Sequence, residues 1–137
     1  MSVTNQQANI ILDEYFGKVT PTIPTSYFMG ISTTTIQSDG TGKTEPNDIA
    51  YIRVEIPNTK VSFTTSSNGT LTNAVEFEFP ESQVSWGIIT DFFLAGSSTG
   101  TDIKVFGKLT NSRTVETGTI LVLEAGALQI NLENIIA

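Results

Sequence analysis

The chain contains no cysteine and no histidine. Their absence removes the commonest general base, the usual transition-metal ligands, thiol nucleophiles and any disulfide or zinc-ribbon framework. A chain without thiols carries no mark of its redox compartment, so its stability has to come from packing or assembly. Positive charge is also scarce: 7 Lys and Arg stand against 14 Asp and Glu, a net charge of -7. The few cations are scattered singly, and nucleic acid is therefore not an expected partner. Long apolar runs are missing as well. Ile120 to Leu123 is far too short for a bilayer span, and the N-terminus lacks a basic region followed by an apolar segment, so neither membrane anchor nor signal peptide is expected. What the chain does have is hydroxyl groups. Ser and Thr number 33 of 137 residues while charged residues make up only 15%, a balance suited to exposed strand faces, where Thr is favoured.

The length fits one domain with a single core. Residues 1–25 are read as a helix and a spacer, and 26–137 as a β-sandwich. In the helix, Ala8, Ile11, Leu12, Tyr15 and Phe16 recur at the spacing of one amphipathic face. Thr4 or Asn5 supplies the N-cap and Gly17 the left-handed C-terminal residue. Pro21 and Pro24 keep the spacer extended. From Tyr27 the apolar period drops to two. Tyr27–Ser32 reads as a first strand, 33–48 as a long polar loop, and Tyr51–Ile56 as a strand with Ile52, Val54 and Ile56 inward and Tyr51, Arg53 and Glu55 wet. Short strands follow at 61–64 and 74–79, the latter placing Val75, Phe77 and Phe79 inside and Glu76 and Glu78 outside. Asn68-Gly69 is the turn between them. Trp86–Ala95 is mostly apolar on both faces, as a covered central strand should be, and further strands are expected at 103–109, 113–116, 120–124 and 128–132. The sum is an all-β antiparallel sandwich of about seven to eight strands, jelly-roll or Ig-like, with one N-terminal α-helix.

Few residues suggest chemistry, and each has a plainer reading. Asp39, Glu45 and Asp48 surround Gly40 and Gly42 and offer oxygen ligands for calcium, but no EF-hand or glycine-rich repeat spacing accompanies them, and a solvated loop is favoured. Trp86 offers a sugar-stacking platform, yet a lone Trp before Gly in an apolar strand is more often core. Glu76 and Glu78 project from one strand face like a glycosidase pair, but outward glutamates usually serve solubility and protect edges. Asn68-Gly69-Thr70 fits a glycosylation acceptor, although Asn-Gly is first of all a turn. The helix face Ile11, Leu12, Tyr15 and Phe16 either docks on the chain's own sandwich or inserts into another protein, with internal docking favoured.

A run of segments, in order, resembles small bacteriophage virion proteins of the tail-fibre or head-decoration type. These are Leu12-Asp13-Glu14-Tyr15-Phe16-Gly17, Tyr27–Thr34, the Gly-rich loop from Asp39 to Thr44-Glu45-Pro46, Tyr51-Ile52-Arg53-Val54, Phe77-Glu78-Phe79-Pro80, Ser85-Trp86-Gly87, Gly107-Lys108-Leu109-Thr110 and Ala125–Ile130. Between Asp91 and Ile103 this chain departs from the family pattern, with Gly96-Ser97-Ser98-Thr99-Gly100 where an aspartate-alanine pair and a Gly-Gly turn are common. The resemblance implies a non-enzymatic virion structural protein, a fibre, adaptor or capsid-decoration component that works without cofactors through contacts with other virion proteins and as a homo-oligomer. Its expected contact residues are Ile11, Leu12, Tyr15 and Phe16 on the helix and Asp39, Lys43 and Glu45 in the loop. The alternative is a β-sandwich module that binds a host receptor or glycan.

Overall fold

The computed structural model describes residues 1–132; the last five residues of the expected sandwich, 133–137, lie outside the described residues. In chain order the elements are β1 (Ser2–Val3), α1 (Asn5–Gly17), β2 (Ser26–Ser32), β3 (Val54–Pro57), β4 (Thr70–Thr72), β5 (Phe77–Glu78), β6 (Gly87–Ala95), β7 (Ile103–Val115), β8 (Val122–Leu123) and β9 (Gln129–Asn131). The fold is an all-β antiparallel sandwich with an N-terminal helix. One layer is a five-stranded sheet in the order β1-β7-β6-β2-β3, and the other consists of two ribbons, β4-β9 and β5-β8. Met29, Ile31, Ile56, Ile89, Phe92 and Leu94 from the sheet meet Phe63, Phe79, Trp86 and Leu128 in one core, with Leu71, Leu123 and Ile130 of the ribbons packed against it. At one edge the layers are sewn together by Met1, whose ammonium donates to the Gln129 carbonyl at 2.8 Å while its own carbonyl accepts from Asn131 N–H at 3.3 Å.

β6 is the covered central strand that its composition predicts only in its second half, buried without interruption from Asp91 to Ala95, whereas Gly87 and Ile88 at its start are exposed. Strict alternation would put Ile89 and Phe92 on opposite faces, yet both lie in the main core. The ladder is broken between them, where the two-residue step from Ile89 to Asp91 stands against the five-residue step from Arg113 to Lys108 in β7, and the face of β6 that meets the main core changes at this irregularity. Phe93 and Ala95 then point to the far side of the sheet, where Ile36 of the 33–48 loop and Ile103 cover them. Gly30 is required at this point. A Cβ there would lie 2.2 Å from the Phe93 ring.

Several sequence expectations are corrected. The ladder containing Val54 starts only at that residue, so the expected alternation from Tyr51 does not hold: Ile52 is 63% exposed while Arg53 is 6% exposed. Arginine goes inside here because its guanidinium finds a carboxylate, two carbonyls and an aromatic face. The expected strand at 61–64 is reduced to a single bridge, Phe63 to Asn73, and that at 74–79 to Phe77 and Glu78 with Val75 exposed. The expected strands at 103–109 and 113–116 are one continuous β7. β1 and β4 are two strands the pattern did not reveal, since two or three residues are too few to show a period. The helix is capped at Thr4, whose hydroxyl accepts from Gln7 N–H, but Lys18 rather than Gly17 takes the left-handed conformation, at φ 52. The Asn68-Gly69 turn forms as expected, with φ 52 and 74.

Candidate functional site

Most residues the sequence singles out for chemistry turn out to be committed to one another. The loop from Thr33 to Asp48 folds back on itself as a hairpin-like excursion between β2 and β3, with Thr33 N–H bonded to the Thr44 carbonyl and Gln37 N–H to the Thr41 carbonyl. The Ser32 hydroxyl accepts from the N–H groups of Thr34 and Thr44, pinning the base of the loop. Ile36 anchors its middle, and the Ile36 N–H donates to the buried Asp91 carboxylate at 3.1 Å. Asp39 ties down the turn at the tip by accepting from both the hydroxyl and the N–H of Thr41. Those bonds hold its carboxyl below the usual range.

Glu45 lies deeper, at the centre of a charged cluster. Its Oε1 accepts from Arg53 Nε at 2.8 Å and from the Tyr51 hydroxyl at 2.8 Å, and its Oε2 from Arg53 Nη2 and Lys43 Nζ, each at 2.9 Å. Burial pushes the Glu45 carboxyl up, but the donors from Arg53, Lys43 and Tyr51 outweigh it and hold the pKa at about 2. Tyr51 is shifted the other way: burial and then the Glu45 charge raise its phenol, so it stays a neutral donor. Arg53 directs its remaining donors to the carbonyls of Ser97 and Gly100 and stacks 4.9 Å from the centre of the Phe93 ring. The 96–100 segment, where the sequence departs from the phage pattern, is thus fixed from beneath.

Asp48 performs a similar task at the end of the loop. Oδ1 accepts from Ala50 N–H, and Oδ2 accepts from Gln83 N–H, Val84 N–H and the Trp86 indole at 2.8 Å. The Ala50 amide first and the indole second bring its carboxyl down to about 2. Trp86 is 4% exposed, which rules it out as a sugar platform. Tyr51 stacks on Phe79 at 6.2 Å and meets Trp86 edge-on at 5.4 Å. Glu45 of Thr-Glu-Pro, Tyr51 and Arg53 of Tyr-Ile-Arg-Val, Phe79 of Phe-Pro and Trp86 of Trp-Gly therefore converge in one place. The motifs that carry the resemblance hold the fold. Asp39, Glu45 and Asp48 do not gather around one point; each serves its own protein donors.

The helix is the contrasting case. No residue of α1 is buried, against the favoured internal docking of its apolar face. The half-buried positions are Gln7, Ala8, Ile11 and Glu14, so only one edge of the apolar stripe leans on the body. Tyr15 is 81% exposed and Phe16 79%, and Leu12, Val19 and Ile23 are each more than half exposed. Under the helix runs an apolar groove of about 490 Å³ lined by Ile11, Tyr27, Leu71 and Ile130, with Lys60 and Lys104 among its polar residues. The sequence marked α1 as amphipathic but gave no sign that most of its apolar side is free. Nor did it mark the groove, which draws on seven separate elements.

No curated protein matches the sequence. The family profile described as podophage GP4 fiber I protein gp80 matches residues 2–131, nearly the full length, and spans the order of motifs whose side chains meet around Tyr51. The chain therefore belongs to this family and is a structural fibre protein of the phage virion.

Proposed function

We propose that this protein is a non-enzymatic fibre component that attaches within the virion through the exposed apolar arm formed by the end of α1 and the spacer. The observation that carries this reading is the exposure of Tyr15 and Phe16, beside Leu12, Val19 and Ile23, on a chain whose other aromatic motif residues are internally packed. Exposed apolar area on this scale is unusual for a soluble chain unless it is covered by a partner. An amphipathic helix laid into a groove is a recurrent way of covering it. Ile11, Leu12, Tyr15 and Phe16 are the contact residues in this reading, with Ile11 at its inner edge. In the loop, Lys43 and Glu45 bind each other and Glu45 binds Arg53, so their part is to hold the loop's shape, whereas Asp39 sits at the exposed tip. The absence of histidine and cysteine, together with the internal commitment of Glu45 and Asp48, supports a role without catalysis.

The experiment is to place Tyr15→Ser with Phe16→Ser in the phage and to count copies per particle by quantitative mass spectrometry. Loss of the variant from otherwise intact particles is expected. Incorporation at the wild-type level would remove the arm from the attachment mechanism.

A further inference from the structure

Resting on the arm as an attachment element, we propose that its partner is a second copy of this chain. The segment Leu12–Ile23 of one copy seats Tyr15 and Phe16 in the apolar groove beneath α1 of its neighbour.

Three observations point to a copy. First, the areas are of matching scale. Tyr15, Phe16, Leu12, Val19 and Ile23 at their exposures present roughly 600 Å² of largely apolar surface, the upper range for the largest patch on a monomer and close to the ~800 Å² each partner brings to a standard interface. The groove, at about 490 Å³, lies in the range that encloses a drug-sized molecule and so has room for two aromatic side chains.

Second, the chain cannot fill its own groove with this arm. Gln7 and Ile11 already lie over it. Phe16 follows Gln7 by nine residues, about two and a half turns, and so faces the opposite side of the helix. Tyr15 lies one turn beyond Ile11, does not line the groove and is left in solvent. Bringing both rings into the groove within one molecule would require α1 to unwind.

Third, the charges favour such a contact. A chain with net charge -7 repels its copies unless cations stand at the contact. Of its 7 basic residues, Lys60 and Lys104 line this groove, and neither forms a salt bridge among the described residues. The arm brings Asp13, exposed beside Leu12, and half-buried Glu14 against a single cation, Lys18, so that it is acidic by one charge. Since arm and groove are different surfaces of one chain, the contact is head-to-tail, and a closed ring results when its rotation closes.

The test uses the chain's natural lack of cysteine. A Cβ added at Gly17 would meet nothing within 4 Å, and Ser66 is exposed at the groove, so Gly17→Cys and Ser66→Cys are each tolerable and leave Tyr15 and Phe16 in place. Mixing the two variants under mild oxidation, in solution and in particles carrying both, is expected to give a disulfide-linked dimer. Sedimentation equilibrium of the wild type is expected to show species that are multiples of 14.8 kDa growing with concentration. Phe16→Asp, and separately Lys60→Glu with Lys104→Glu, should weaken association at least tenfold with an unchanged circular dichroism spectrum. No mixed dimer, together with a monomeric wild type, overturns the second copy. If Phe16→Asp is then still lost from virions, the arm binds a different protein and only this inference fails; if it is incorporated normally, the attachment reading fails with it. A chain carrying both cysteines that closes on itself, or an oligomer indifferent to Phe16→Asp, also overturns the proposal.

Discussion

The cluster around Tyr51 and the arm of α1 are both rich in the residues that usually mark binding sites, and they have opposite fates. In the first, Glu45, Arg53, Asp48 and Trp86 satisfy one another, and the aromatic rings are covered. In the second, Tyr15 and Phe16 have only each other, tilted at 6.4 Å between ring centres, and water. A charged or aromatic residue thus points to a partner only when the rest of the chain has not already supplied one. Satisfied groups stabilise the fold, and unsatisfied apolar surface is free to stabilise an assembly.

If that division holds, substitutions in the cluster should cost stability and substitutions in the arm should cost assembly. The largest loss is expected for Arg53→Ala, which strands the largely covered Glu45 and frees the Ser97 and Gly100 carbonyls. Breaking such a pair costs about 3 kcal/mol, at the low end for buried pairs because Glu45 retains some contact with water. Urea denaturation measures it, and a loss under about 1 kcal/mol, the range of an exposed pair, would make the cluster ornamental. Acid should come next. Glu45 and Asp48 are both held at about 2, below their unfolded values, so the stability they contribute is complete above about pH 4.5 and drains away as pH falls towards 2. The urea midpoint should fall through that window in the wild type and fall less in Glu45→Gln with Arg53→Met, while an equal slope in both would remove the cluster from the acid response.

Gly30→Ala tests the same region by packing alone. Its methyl meets the Phe93 ring and displaces it from Arg53, for a cost of about 2 kcal/mol by thermal or urea unfolding. Least affected should be Phe16→Ser, with a stability change within about 0.5 kcal/mol because its side chain touches little, yet with the association described above lost. A destabilisation comparable to that of Gly30→Ala would show that Phe16 belongs to the fold, and the contrast between the two regions would dissolve.

The parts legible in the sequence are those set by local pattern. The α1 span follows from its apolar spacing and its Thr4 cap, the Asn68-Gly69 turn from two residues that tolerate positive φ, and the burial of the second half of β6 from a mostly apolar run. The misread strand from Tyr51 to Ile56 shows the limit. An alternating pattern assigns Arg53 to water, and only Glu45, eight residues earlier, together with the Ser97 and Gly100 carbonyls some forty residues later, makes its burial favourable. Likewise Asp48 looked like a loop acid until the fold brought Trp86 to it. Of the contact residues named from sequence, Leu12, Tyr15 and Phe16 remain exposed while Lys43 and Glu45 are turned on each other, a division no local pattern encodes.

The sequence by itself determined the class of the protein. The lack of histidine and cysteine closed most catalytic routes, short strands with period-two apolar patterning favoured a sandwich, and the order of short motifs resembled phage virion proteins of the tail-fibre or head-decoration type, of which the family profile shows the fibre kind. The tertiary structure alone decided which side chains were already spoken for, because burial and pairing depend on residues far apart in the chain. It placed the motif residues in the scaffold and left the end of α1 with its apolar face uncovered.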